Sequence, residues 1–248
     1  MAKTIRSEEI TLGTGADPVR FVFGVLKEPK KFNAASKQAR FEGTILLDPS
    51  VAAHKANLDA CRAAITKLVA EAYGKDVSVA GLLEDNRIAL VNNTRSDGSQ
   101  RKSGKSYEAY KGMYFLPANK SLMKDEQKEL DAFKSRPDFL MPAVQQQYTN
   151  FLNTLRPTIR SRSGELIFPG HEQWPVSGSY TRAKISFWAQ PPGSEWGMRV
   201  NCNLLGLQYV KYGEPTGESG GGQKEVEFEA LEDGPEAPAG GVKEVSGW

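Results

Sequence analysis

A single long helical pattern, set among short strand patterns, limits the folds open to this chain of 248 residues. Asp48 and Pro49 supply a helix start, and apolar residues then recur at helical spacing until Gly74 interrupts them. We therefore predict a helix over about residues 49–73. No regular alternation of strands and helices surrounds it, which argues against a parallel α/β sheet. The order favours a small β structure with helical additions.

The other apolar segments are short and predict strands in a definite order. Two precede the long helix, one follows it, one comes after a polar run, and two form a hairpin near the C-terminal part of the body. They are PVRFVFGVLKEP, ARFEGTILLDPS, DNRIALVNN, YKGMYFLPANKS, SGSYTRAKISFWAQ and GMRVNCNLLGLQYVKYG. A proline ends the first pattern, and a basic turn is predicted over Lys27–Lys37. We predict a mainly β fold: an OB-fold-type β-barrel with the long helix after its second strand.

Two further regions complete the predicted organisation. The segment 122–175 is interrupted by prolines and contains KDEQKELDAF, which indicates a short surface helix, so we expect a helical and loop insertion there. Residues 1–213 are then one OB-fold-like domain. Residues 214–248 are rich in Gly, Pro and acidic side chains and contain too few apolar residues to offset the entropy of ordering. We expect this tail to be disordered.

The charges divide unevenly between these two parts. Residues 214–248 hold nine Asp or Glu and two Lys, whereas residues 1–213 hold 30 Lys or Arg against 21 Asp or Glu. A basic body favours a polyanionic partner, and an acidic tail can compete with that partner for the body. The tail can also reach another protein through its aromatic residues Phe228 and Trp248.

The strand predicted over Tyr180–Trp188 has two different faces. Its side chains alternate between a core-like set and a set of aromatic and cationic groups, which comprises Tyr180, Arg182, Lys184, Ser186 and Trp188. Rings that stack on bases beside cations that neutralise phosphates are what single-stranded nucleic acid requires. An ordinary solvated sheet face with scattered aromatics is the alternative interpretation.

A second concentration of cations lies between Asn86 and Ser121. Aromatic residues are interleaved with it, including Tyr110 and Tyr114, and only two acidic residues oppose it between Arg87 and Lys120. Its cations are Arg87, Arg95, Arg101, Lys102, Lys105, Lys111 and Lys120. Flexible basic loops between barrel strands are where OB folds hold a nucleic-acid backbone. A solvated loop is again the alternative.

Motifs for catalysis and cofactors are weak. GSQRKSGKS has five residues rather than four between Gly98 and Gly104, and a strand pattern follows where a P-loop requires a helix. There is no CxxC or HExxH motif, and the only histidines are His54 and His171. We expect no cofactor and no metal site. A metal-dependent nuclease would need converging carboxylates, and cleavage on addition of magnesium would reveal it.

Localisation follows from the same composition. No stretch approaches the roughly 20 apolar residues of a membrane span, and the first residues lack the apolar run of a secretion signal. We expect a cytoplasmic protein without a membrane partner. Cys61 and Cys202 lie far apart in sequence, and in a reducing compartment both are expected to be free and buried.

The order of the strand motifs is similar to that of the bacteriophage single-stranded DNA-binding proteins with an OB fold. The marks are PVRFVFGVLKEPKKF with ARFEGTILLDPS, then YKGMYFLPANKS, then SGSYTRAKISFWAQ with NCNLLGLQYVKYGEP, over most of residues 18–215. In that family the groove binds single-stranded DNA without sequence preference in replication and recombination. An acidic tail that ends in an aromatic residue recruits replication proteins.

The resemblance implies roles for particular residues. In the middle motif, Tyr110, Lys111 and Tyr114 become candidates for DNA contact, and in the hairpin Tyr180, Arg182, Lys184 and Trp188 do so. Two departures stand out: the long 122–175 segment, and a tail that ends on Trp248 where Phe is common.

A sequence-independent, non-enzymatic single-stranded DNA-binding protein is the function that these observations predict. Its expected partners are single-stranded DNA and, through the tail, a polymerase, helicase or primase. The alternatives are a strand-annealing recombination protein, an RNA-binding protein and a virion structural or assembly protein. Size in solution, competition between DNA and RNA oligomers, and salt-dependent binding would separate them.

Overall fold

Eight strands and four helices lie in the part of the chain that the computed structural model describes, residues 4–33, 36, 38–92, 112–194 and 197–214. The strands are β1 (Ile10–Leu12), β2 (Val19–Lys31), β3 (Ala39–Leu47), β4 (Val91–Asn92), β5 (Tyr114–Ser121), β6 (Thr158–Arg160), β7 (Tyr180–Ala189) and β8 (Val200–Lys211). The helices are α1 (Ala52–Tyr73), α2 (Val79–Glu84), α3 (Lys124–Lys134) and α4 (Pro142–Leu155). The mainly β architecture predicted from the sequence is confirmed.

Five of the strands pair in a closed circuit. β2 pairs with β3, β3 with β5, β5 with β8, β8 with β7, and β7 with β2. The β5–β8 pairing is parallel and the other four are antiparallel. The three short strands attach outside the circuit, β1 to β7, β4 to β5 and β6 to β8. Every strand of the circuit was predicted from its apolar pattern.

Two glycines allow the first long strand to bend around the core. The ring of Phe21, which is fully buried, lies against Gly24 of its own strand and Gly43 of β3. A Cβ atom at Gly43 would stand 2.1 Å from this ring, and one at Gly24 would stand 2.3 Å from it. The β2–β3 register shifts twice, and such irregularities bend a strand. Gly24 and Gly43 therefore make room for the largest side chain at this bend.

Two predicted boundaries are wrong. The first strand continues to Lys31, so Lys27–Lys31 belong to β2 and not to a basic turn. Pro29 is tolerated because it falls at the second register shift, between Val25 and Lys30, where no ladder hydrogen bond is required of its nitrogen. The segment DNRIALVNN forms a strand only over Val91–Asn92, and the rest of its pairing is an isolated bridge from Ile88.

The predicted long helix is present and packs on the sheet, although it begins three residues after Pro49. α1 buries a stripe of side chains at helical spacing: His54, Leu58, Cys61, Ile65, Leu68 and Val69.

Neither Cys61 nor Cys202 forms a disulfide, and both are buried. Burial raises the pKa of Cys61 to about 12 and that of Cys202 well above its usual value, so both thiols stay protonated.

A second apolar cluster joins α3 and α4 to the N-terminal end of β3. Phe41 and Ala39 pack there with Leu122, Leu130, Tyr148, Leu152 and Leu155. α3 is therefore not only a surface helix, because it buries Leu130 and also Gln127, whose side chain accepts a hydrogen bond from the Ala39 amide at 2.7 Å. This helical pair covers one end of the β2–β3 hairpin.

Charged side chains fix the same helical pair to β2. Arg156 is buried and donates to the carbonyl oxygens of Leu26 and Lys27. Glu28 accepts from Tyr148 and pairs with Lys134, both at 2.5 Å. Burial raises the pKa of the Glu28 carboxyl, but these two partners outweigh burial and the pKa is lowered.

None of the four helices is long and apolar enough to cross a membrane.

Candidate nucleic-acid interface

A row of polar and cationic residues crosses five strands on the outer side of the circuit. Residues directly opposite in a pairing share one side of a sheet, and the pairings join Lys30 to Arg40, Arg40 to Ser121, Glu42 to Asn119, and Asn119 to Asn203. Asn203 lies opposite Ser186 of β7, and Trp188 is two residues further on the same side. We call the following residues the polar belt: Lys30, Arg40, Ser121, Asn119, Asn203 and Trp188.

The belt has a definite length. It crosses five strands, β2 to β3 to β5 to β8 to β7, and neighbouring strands lie about 4.8 Å apart, so it spans about 20 Å. The two residues that flank Arg40 on β3 point inward, since Ala39 is 4% exposed and Phe41 is fully buried. The belt is therefore a surface feature over a packed core.

An exposed aromatic ring marks the β2 end of the belt. Phe32 follows β2 directly and is 69% exposed, and the guanidinium of Arg40 lies over its ring, 4.6 Å from the centroid. Arg40 also contacts Glu42 at 2.5 Å. An aromatic face beside a cation offers both a stacking partner for a base and a positive charge for a phosphate.

β7 carries four of the predicted contact residues along its outer side. Thr181, Ala183, Ile185 and Phe187 are fully buried, whereas Arg182 and Lys184 are exposed and Tyr180 and Trp188 are half-buried. The predicted alternation is confirmed except at Ser186, which is 6% exposed although it belongs to the outer set. Lys184 pairs with Glu9 at 2.6 Å, and Arg182 donates to the side chain of Gln208 at 3.0 Å.

Tyr180 stands between two cations at the other end of β7. The guanidinium of Arg20 lies 5.8 Å from its ring centroid, and the ammonium of Lys211 lies 4.9 Å from it. Arg20 also donates to the carbonyl oxygen of Glu214 at 2.8 Å. The chain thus leaves the body, toward its acidic C-terminal segment, beside an aromatic and cationic site.

The structure places Tyr114 and Arg87 away from the other candidates. The Tyr114 hydroxyl accepts from Arg62 of α1 at 2.9 Å, and the Arg62 guanidinium lies 5.2 Å from the Tyr114 ring centroid. The next residue, Phe115, points to the outer side and packs against Val22 and Leu46. Arg87 contacts Asp85 at 3.6 Å and lies against Gly197, beyond the end of β7.

Seven candidates fall outside the described residues. These are Arg101, Lys102, Lys105, Tyr110 and Lys111 of the basic segment, and Phe228 and Trp248 of the tail. Their predicted roles remain predictions.

Sequence reasoning missed most of the belt. Arg40, Asn119 and Asn203 belong to three strands that are distant in sequence, and only the strand register brings them together. A weak signal was present, because the inward residues of β3 and β8 are apolar and Arg40 and Asn203 occupy alternate positions between them. Phe32, in the sequence KKF, gave no such signal.

The described residues offer little for catalysis. Among them, no group of three or more His, Cys, Asp or Glu could hold a metal ion. His54 Nδ1 accepts from the Asp48 amide at 3.2 Å, and His171 Nδ1 accepts from the Gln173 amide at 3.0 Å, so each histidine has a structural partner. What these surfaces can do chemically is bind an anionic polymer that carries aromatic groups.

Comparison with known proteins gives one family. The sequence profile of the family described as Enterobacter phage Enc34, ssDNA-binding protein, matches residues 10–237. No curated protein matches the chain.

Three solved structures, all of the single-stranded DNA-binding protein from bacteriophage Enc34, share the fold. The complex with ssDNA has a TM-score of 0.56 at 16% identity and covers 84% of this chain and 89% of that chain. The second structure gives 0.55 at 15% identity, over 89% and 96% of the two chains, and a C-terminal truncation gives 0.55 at 15% identity, over 87% and 98%. At such low identity the likeness concerns the fold.

Proposed function

The chain belongs to the family of the single-stranded DNA-binding protein of Enterobacter phage Enc34, and from this premise we propose that it binds single-stranded DNA in phage DNA replication and recombination. The observation that carries the proposal is the meeting of aromatic rings and cations on one outer surface. Phe32 with Arg40 and Trp188 stand at the two ends of the polar belt. Tyr180 with Arg20 and Lys211 forms a further site along β7.

In this proposal aromatic rings stack on bases and cations neutralise phosphates. A base stacked on an aromatic side chain contributes about 1–3 kcal/mol whatever its identity, so two or three rings give useful affinity for any sequence. Arg182, Lys184 and the cations of the belt neutralise phosphates and release counterions. The base faces of duplex DNA are covered by neighbouring base pairs. A duplex therefore gains only the electrostatic contribution from phosphate neutralisation.

The proposed architecture is an OB fold. The five-strand circuit of β2, β3, β5, β8 and β7 supports it, since an OB fold is a five-stranded barrel that binds oligonucleotides on one face. In this interpretation residues 1–213 form the DNA-binding domain and 122–175 an insertion, whose α3 and α4 cover the end of β2 and β3. Tyr110, Lys111 and the other cations between Arg87 and Lys111 are proposed as further DNA contacts, together with Tyr114.

The proposed role is non-enzymatic and needs no cofactor or metal. Binding and release of DNA require only the side chains described above. The proposed place of action is the cytoplasm of the host cell, where a phage copies its DNA.

A direct test compares a labelled oligothymidylate with a duplex of equal length by fluorescence anisotropy at two salt concentrations. We expect the single strand to bind more tightly, and its affinity to fall steeply with salt because cations contact several phosphates. A matched RNA oligomer tests whether the 2′-hydroxyl matters. Equal affinity for single strand and duplex, or no binding, would refute the proposal.

We further propose that residues 214–248 form a disordered acidic tail that competes with DNA and recruits replication proteins. Its first residue already contacts Arg20, beside Tyr180 and Lys211, so the tail begins at a proposed DNA site. DNA bound there displaces the tail, and Phe228 and Trp248 then become available to a polymerase, helicase or primase.

Removal of residues 215–248 is expected to raise the affinity for oligothymidylate about 3- to 10-fold at low salt, because a polyanion that competes for the same cations is lost. The difference should shrink as salt is added. Anisotropy titration of the truncated and full chains measures it. The control is the double substitution Phe228→Ala and Trp248→Ala, which keeps every charge and should leave DNA affinity unchanged. Equal affinities of the truncated and full chains at low salt would exclude competition.

A further inference from the structure

A cavity opens beside the one place where β5 and β8 meet. These parallel strands share a single register pair, Asn119 with Asn203, and then separate. The cavity next to this seam has a volume of about 430 Å³. Its lining includes Arg6, Asn119, Lys120, Met123, Trp188 and Asn203. Its volume falls within the range of small-molecule sites in proteins.

Two of the lining side chains provide apolar surfaces. Trp188 offers an indole ring at the end of β7, and Met123, which is 67% exposed, offers a flexible thioether just before α3. A thioether packs well against aromatic faces. A flat aromatic ligand is the group that these two surfaces suit.

Two amides supply hydrogen-bonding groups beside them. The Asn119 Oδ1 atom accepts from the Ser121 hydroxyl at 3.2 Å, and the Asn203 Nδ2 atom approaches the Ser186 hydroxyl only at 3.5 Å. Both contacts lie at the long end of hydrogen-bond distances, so both are weak and can be exchanged for a ligand. An amide presents a donor and an acceptor together, which matches the polar edge of a nucleobase.

Cations stand around the same cavity. Arg6 is exposed and lies opposite Trp188 across an isolated bridge. Lys120 donates to the carbonyl oxygen of Arg156 at 2.9 Å. Glu126 also lines the cavity, but its carboxylate accepts from the Met123 amide at 2.6 Å and caps the start of α3. The surroundings therefore suit a phosphate beside a bound aromatic group.

We propose that this cavity binds one unpaired nucleobase of the DNA strand, stacked between Trp188 and Met123, with its polar edge on Asn119 and Asn203. The inference rests on the proposed function and refines it. Contacts elsewhere on the belt accept any base, whereas this position discriminates among bases. The protein then binds every sequence but prefers one base at one position of its site.

The experiment compares oligomers of dA, dC and dT with an abasic strand that has the same number of phosphates, by anisotropy at fixed salt. The wild-type chain should bind the best base at least about 5-fold more tightly than the worst, the lower end of what a good amide pairing discriminates. The double substitution Asn119→Ala and Asn203→Ala should reduce this ratio to within about 2-fold. Binding of the abasic strand should not change. Differences in self-stacking among the oligomers cancel when variants are compared.

Two further variants keep the test decisive. Asn150→Ala removes an exposed amide of α4, which accepts a hydrogen bond from Gln146 within the helix, and should preserve the wild-type ratio. Asn119→Thr with Asn203→Thr introduces β-branched side chains, which suit strands, and should also lose the ratio, so the test holds even if the alanine variant folds poorly. Equal binding of all three bases by the wild-type chain, or a ratio that survives both double substitutions, overturns the pocket. Failure of the wild-type chain to bind any oligomer overturns the proposed function instead.

Discussion

Replacement of Trp188 by alanine is expected to weaken the binding of oligothymidylate by about 5- to 150-fold, the equivalent of about 1–3 kcal/mol for one lost base stack. Trp188 lies where the polar belt, the outer side of β7 and the cavity at the β5–β8 seam meet. Its loss therefore removes a stacking surface from the point where the three parts of the proposed interface join. Trp188→Phe keeps an aromatic face and should retain most of the affinity.

The matched control removes an exposed ring elsewhere. Phe168 is 42% exposed and belongs neither to the belt nor to the lining of the cavity at the β5–β8 seam, so Phe168→Ala should leave DNA affinity unchanged. The salt dependence also discriminates, since the loss of a neutral ring should shift the affinity but not its slope against salt. If Trp188→Ala binds as the wild type does, DNA follows a path that avoids the end of β7.

The sequence could predict the outer face of β7 because the strand obeys a strict two-residue period. Thr181, Ala183, Ile185 and Phe187 are fully buried, as the alternation required. The same reasoning could not choose between Tyr114 and Phe115, which are adjacent and both aromatic. The choice is made by the register with β3, where Phe115 lies opposite Leu46 and Tyr114 opposite Leu47. The register depends on the partner strand, so it cannot be predicted from the sequence of β5 alone.

The polar belt could not be predicted from the sequence for a related reason. Lys30, Arg40, Asn119 and Asn203 belong to four strands, and no short motif contains any two of them. α3 shows the converse case. Its charged sequence predicted a surface helix, yet Leu130 and Gln127 pack inward, because a helix needs only a narrow apolar stripe to dock. Local patterns thus specify elements, while long-range pairing specifies the site.

β2 shows how individual side chains determine the curvature of a strand. Phe21 is fully buried against Gly24 and Gly43, and both glycines stand where a methyl group would overlap its ring. Gly43→Ala is expected to lower the free energy of unfolding by about 1–3 kcal/mol, since the rigid ring and the paired strand cannot both move aside. Phe21→Ala should cost about 3–5 kcal/mol through the cavity it leaves. Denaturant unfolding measures both.

A double-mutant cycle then isolates the contact. In the Phe21→Ala background the methyl group at position 43 meets no ring, so Gly43→Ala should be nearly neutral there, and the two single effects should not add. Gly15→Ala is the control, because a Cβ atom at Gly15 would meet nothing within 4 Å. Additive losses in the double variant would mean that Gly43 is required for the bend of the backbone itself. A large coupling energy would instead show that the glycines exist to admit Phe21, whose bulk then holds β2 and β3 in the curvature that carries Lys30 and Arg40 to the belt.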